Sequence, residues 1–174
     1  MAKKTISFDV LDVKSLNNAI KEVEQYSKDI EYSLRVFVKS LAAEGVEVAK
    51  MGVITYNAIF TTELLNSIHV EEKSNGVFVV KTDSKHAAFV EFGTGQVGQA
   101  HHYPYKLPDG VSWEYNVGST IFEIHDGQYG WFYKDAKGRW FFTQGMESRP
   151  FMYHTALYLK DIVERGGGFI RYDG

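Results

Sequence analysis

The chain has 174 residues, 44% of them hydrophobic and 24% charged, with 19 Lys and Arg against 22 Asp and Glu for a formal charge of −3. These are the proportions of an ordinary globular domain long enough to bury a core, and the near balance of charge excludes a broad electrostatic hold on nucleic acid or anionic lipid. With no cysteine in the chain, disulfides, thiolate zinc ligands and a thiol nucleophile are excluded as well.

No run approaches the ~20 apolar residues of a membrane span, and residues 1–5 lack the apolar core of a signal peptide. The chain therefore reads as soluble, made and used without export. Aromatics at 15%, with 16 Gly against 3 Pro, point to aromatic-rich strands.

Residues 5–11 alternate loosely (Ile6, Phe8, Val10) and predict a short strand. From Leu16 the apolar positions Leu16, Ile20, Val23, Ile30, Leu34, Phe37, Leu41 and Val48 follow steps of three and four, interrupted only by Ser27 and Glu44. That is the stripe of an amphipathic helix, with Ser15 as its N-cap. Run unbroken to about Met51, it is roughly 54 Å long, whereas a compact domain of this size is roughly 40 Å across. Either the helix breaks near Gly45 or Gly52, or part of its stripe packs against something outside its own fold, most simply another copy of the chain.

Residues 61–65 predict a short helix, and 68–73 and 77–82 two strands joined by the hairpin signal Ser74-Asn75-Gly76. Residues 86–92 are a short apolar segment of undetermined type, 93–108 a loop, and Pro108-Asp109-Gly110 a turn. Strands are predicted over 112–114, 120–124, 129–133 and 139–143, the last two joined at Asp135-Ala136-Lys137-Gly138. Arg149-Pro150 opens a final helix with Pro150 in its first position and Gly166 at its stop, and 167–172 predict a closing strand. The expectation is an α+β fold. A long N-terminal helix packs on a small antiparallel sheet, followed by a C-terminal helix, in one domain (1–174) with a β-rich, aromatic insertion at about 96–147.

Little in the chain suggests reaction chemistry. Gly93-Thr94-Gly95-Gln96-Val97-Gly98 matches the dinucleotide fingerprint in letters, but neither an opening helix nor a βαβ unit is predicted around it. His101, His102 and His125 with Glu123 or Asp126 are the candidate metal ligands. They lack a helical H-x-x-x-H pair, and adjacent histidines in a strand point to opposite faces. No nucleophile elbow is present. The expectation is a protein that is not an enzyme and holds no cofactor or metal.

The aromatic run offers more. Trp113, Tyr115, Tyr129, Trp131, Phe132, Tyr133, Trp140, Phe141 and Phe142 crowd one segment. They read as the staple of a small β-subdomain or as a protein contact centred on Trp113, Trp131, Tyr133, Trp140 and Phe142. A third reading is a stacking platform for sugar or single-stranded nucleic acid.

Two blocks carry a resemblance. Ala88-Phe89-Val90-Glu91-Phe92-Gly93-Thr94-Gly95, followed by Ser148-Arg149-Pro150-Phe151-Met152-Tyr153-His154-Thr155-Ala156-Leu157, resembles the small neck proteins of long-tailed phages, which join head to tail or complete the tail. Leu64-Leu65-Asn66-Ser67-Ile68 occupies the family's place before the hairpin, and the order of elements agrees. In that family the interval between the two blocks is short; here it holds the whole aromatic segment. The resemblance implies a virion structural protein, assembled in the bacterial host and closing copies of itself into a ring, by family likeness a hexamer, against neighbouring neck or tail-tube proteins. It implies no sequence-specific nucleic acid and no membrane, with DNA passing through the ring.

Under the resemblance Glu91, Phe92, Gly93, Thr94, Arg149, Pro150 and Phe151 are structural residues. Gly93 and Gly95 would turn the chain with positive φ, while Phe151 and Leu157 would seat the last helix on the sheet. Glu91 and Arg149 are expected to close the base of the insertion as an ion pair, the alternative being an exposed Glu91 carboxylate. The competing functional class is a ligand- or carbohydrate-binding module built on the aromatic segment.

Overall fold

The stripe beginning at Leu16 folds as one unbroken helix, α1 (Val13–Thr55), of 43 residues and about 64 Å. The structure, a computed structural model, describes residues 5–57, 62–74, 76–115, 122–125, 127–135 and 137–166. Asp12 rather than Ser15 caps α1, its carboxylate accepting the Lys14 N–H. Ser15 Oγ instead accepts the Asp9 N–H at 2.9 Å. The strand expected over residues 5–11 does not form. Asp9 and Ser15 side chains take backbone N–H groups there and compete with any ladder.

Neither glycine breaks α1, because each admits a neighbour. A Cβ on Gly45 would stand 2.9 Å from Leu159 Cδ1 and 3.0 Å from Val80 Cγ2, and one on Gly52 would stand 3.1 Å from Phe151 Cβ. A helical glycine costs about 1 kcal/mol relative to alanine, which close packing of this kind offsets.

After α2 (Thr62–Ser67), strands β1 (Ile68–Ser74) and β2 (Val77–Thr82) pair antiparallel from Ile68↔Thr82 to Ser74↔Val77. Arg35 of α1 binds Glu72 near the hairpin tip. Two six-residue helices follow, α3 (Ala87–Phe92) and α4 (Gly95–Ala100). The undetermined segment is thus helical, and the expected loop contains a helical turn and a half. A second sheet, ordered β3-β4-β5, comprises β3 (Phe122–His125), β4 (Gln128–Lys134) and β5 (Trp140–Thr143). A short β6 (Gly145–Met146) leads to α5 (Phe151–Gly166). Residues 112–114 are not a strand. Residues 120, 121 and 167–172 lie outside the described part.

The architecture is α+β, with a long N-terminal helix, two small antiparallel sheets and a C-terminal helix. Its core joins Val46, Ala49 and Val53 of α1 to Leu64, Ile68, Ala87, Val90 and Phe151. α5 packs on α1, with Phe151 over Gly52 and Leu159 over Gly45. Phe151 and Thr155 face inward at the i, i+4 spacing, so Leu157 falls on the other side and is exposed, contrary to expectation. His154 ties three segments together. Its Nδ1 meets the Tyr56 hydroxyl at 2.6 Å and its Nε2 the Tyr105 hydroxyl at 2.8 Å.

Phe151 is the largest fully buried side chain of the core. Phe151→Ala should cost about 3–5 kcal/mol of unfolding free energy, read from the urea midpoint at unchanged m-value.

Candidate functional site

Both resemblance blocks converge at the base of the insertion. Glu91 lies in the last turn of α3 and is buried. Its carboxylate accepts the Met152 N–H at 2.9 Å and the Tyr153 N–H at 3.0 Å. These are two of the first-turn donors of α5 that have no acceptor within the helix. Glu91 therefore caps the helix that begins after Pro150, from 61 residues away in sequence. The expected Glu91–Arg149 ion pair does not form, nor is Glu91 an exposed carboxylate. Arg149 turns to Glu147 at 3.6 Å, because the positive end of α5 already engages both oxygens of Glu91.

The backbone closes the same joint. The Arg149 N–H donates to Val90 O at 2.8 Å, and Ser148 Oγ donates to Glu91 O at 2.7 Å. Thr94 and Gly95 bridge Met146 and Gly145. Gly93 and Gly95 take φ of 83° and 64°, as expected. A Cβ on Gly93 would stand 2.8 Å from Ser148 N, so both conformation and space require glycine there. Pro150 sits one residue before the helix, its carbonyl accepting the His154 N–H. Phe92 packs on Tyr103 and Trp113, at 5.0 and 5.1 Å between ring centres. Thr94 is buried, and its hydroxyl has no partner among the described residues.

Burial pushes the Glu91 carboxyl above the usual carboxylate range, against the opposing effect of the Met152, Tyr153 and Phe151 N–H groups. Burial likewise raises the Tyr103 phenol, to about 12, with Glu91 adding to the effect.

The aromatic candidates do not form one surface. Register pairs Trp131 with Thr143, Phe132 with Phe142, Tyr133 with Phe141 and Lys134 with Trp140. Paired residues share a face, so Trp131 and Tyr133 lie on one side and Trp140 and Phe142 on the other. Trp131 is turned in against Gly95. Trp113 lies outside the sheet, its indole N–H donating to Gly93 O at 2.9 Å between the rings of Phe89 and Phe92. Trp113 and Trp131 therefore brace the Gly93–Gly95 turn. Trp140, 64% exposed, stands on the outer face beside Phe132, under the Lys134 ammonium.

The glycine fingerprint proves to be architecture too. A helix does open at Gly95, contrary to expectation, but it is six residues long, and Gly98 within it admits the Gly93 and Met146 backbone. His101 and His102 are exposed. The His125 side chain and Asp126 lie outside the described part. Among the described residues no three His, Asp or Glu come together as metal ligands.

Of the two alternatives for the long stripe, the helix does not break, and much of its N-terminal part lies uncovered. Leu16, Ile20, Val23, Leu34 and Phe37 are 39–54% exposed, while the buried α1 positions other than Ala19 lie between Ala42 and Val53. Comparison of the chain with protein-family models, characterised proteins and solved structures finds no match.

Glu91→Ala leaves two helix-end donors without their acceptor and should cost about 2–3 kcal/mol. Because the folded protein holds the Glu91 proton to higher pH than the unfolded chain, this group stabilises most below the ordinary carboxylate pKa. That contribution is lost as pH rises through the raised value. The stability advantage of wild type over Glu91→Gln should therefore shrink from pH 4 to pH 7 in parallel urea titrations. A growing advantage would mean that the N–H donors outweigh burial.

Proposed function

We propose that the chain is a structural subunit of a tailed-phage neck, which joins head to tail or completes the tail by closing copies of itself into a ring. The observation that carries this reading is the joint between the Glu91-Phe92-Gly93-Thr94 and Arg149-Pro150-Phe151 segments. The residues on which the family resemblance rests meet, and they meet as a helix cap, a tight turn and a core anchor. The uncovered half of α1 supports self-association, since exposed apolar stretches of this extent mark contacts between proteins.

On this reading the insertion is a module mounted at the Glu91 joint and, through Tyr105, on His154 of α5. Its outer aromatics, Trp140 and Phe132, are placed to meet the adjoining neck or tail-tube protein. The formal charge of −3 suits DNA passing through the ring without being held. The place of work is the virion, after assembly in the host cytoplasm.

Deletion of the gene from the phage that carries it, followed by negative-stain electron microscopy of the lysate, tests the proposal. Filled heads beside separate tails establish joining, and overlong or unfinished tails establish tail completion. Intact infectious particles overturn the neck role.

A further inference from the structure

The stripe along the N-terminal part of α1 has strict heptad spacing, with Ser27 as its one polar position. Leu16, Ile20, Val23, Ser27, Ile30, Leu34, Phe37 and Leu41 alternate steps of four and three without exception, which is the a/d seam of a coiled coil. At about 100° per residue, the positions buried in the protein's own core (Ala42, Gly45, Val46, Ala49, Val53) centre about a quarter turn away from this seam. The body of the molecule thus covers a different side of α1. Leu16, Ile20, Val23, Leu34 and Phe37 of the seam stay exposed, while Ile30 and Leu41 are half-buried, Leu41 in a hollow shared with Phe78, Val80 and Leu159.

We infer that this seam takes a second copy of the same chain, with the two α1 helices parallel and in register. The inference rests on the self-associating role proposed above and specifies one contact within it, a pair. Charge decides the direction. The positions flanking the seam on one side are Asn17, Glu24, Glu31 and Val38, and on the other Ala19, Tyr26, Ser33 and Ser40. An antiparallel pair that overlaps the whole seam sets Leu16 against Leu41, Ile20 against Phe37, Val23 against Leu34 and Ser27 against Ile30 of the other copy. It then faces Glu24 with Glu31 twice across the interface, a like-charge contact. A parallel pair places Glu24 beside Ala19 and Glu31 beside Tyr26, with no like charges across the seam. It also stacks Ser27 on Ser27, a single polar layer that penalises any slip of register. Two parallel helices in register are related by a two-fold axis along the helices, so this seam closes copies in pairs, and a ring of more than two copies needs a further contact between pairs.

The absence of cysteine makes the test direct. Leu16→Cys, oxidised in the otherwise unaltered full chain, should give a disulfide-linked species at twice the 19.8 kDa of the monomer on a non-reducing gel. In the antiparallel arrangement two such residues would stand about 37 Å apart and could not join. Mixing Ile20→Cys with Phe37→Cys should give no mixed disulfide. Leu34→Asp, combined with Leu16→Cys, should abolish the link and return the light-scattering mass to the monomer, with the near-ultraviolet circular dichroism of the folded body unchanged. An Ile20–Phe37 disulfide, or no Leu16→Cys link at millimolar protein, overturns the inference. Failure here is separable from failure of the neck role. Linkage with intact virions after gene deletion leaves the helix pairing standing without the neck, and separate heads and tails without linkage leave the neck role without this pairing.

Discussion

The Glu91 carboxylate, set against the first turn of α5, is the interaction on which the remainder of the fold is arranged. A helix presents unpaired N–H groups at its start, and burying them without acceptors carries a free-energy penalty. Here the acceptor comes from the end of α3, on the far side of the insertion, so that forming the C-terminal helix and closing the insertion become one event. Phe151, at the start of the same helix, completes the core on α1. Loss of the carboxylate thus loosens three things together: the helix start, the turn at Gly93 and the seating of Phe151.

This arrangement explains why the long interval between the two blocks is tolerated. Loop-closure entropy grows slowly with length, and the entry and exit of the insertion are held by short backbone bonds between Val90 and Arg149 and between Thr94 and Met146. The segment from α4 to β5 is held by that clamp and by Tyr105, which stacks on Tyr153 and bonds His154. Trp113 and Trp131 fasten it from inside, leaving Trp140 and Phe132 outward.

Much of the fold was legible in the sequence because it depends on local pattern. The α1 stripe, the hairpin at Ser74 and Gly76, the β4–β5 pair and the final helix each follow from periodicity or turn chemistry within a few residues. What was not legible depends on which of several possible partners a group finds. Asp12 displaced Ser15 as cap because the Ser15 hydroxyl found Asp9. The Glu91–Arg149 pairing failed because spacing brings the two together without showing that a helix start lies nearer than a guanidinium. The aromatic group could be enumerated from sequence, but only register separates its two faces. Gly45 and Gly52 look like breaks in a helix until Leu159 and Phe151 are seen to occupy the space they leave.

The continuity of α1 has a mechanical consequence. A helix without a hinge behaves as a stiff beam, and this one is anchored at Gly52 directly beneath Phe151 and at Tyr56 through His154. Torque applied near Leu16 is therefore delivered, with leverage, to the start of α5 and to the mount of the insertion. The free end of α1 and the mount of the aromatic segment are thus parts of one rigid frame.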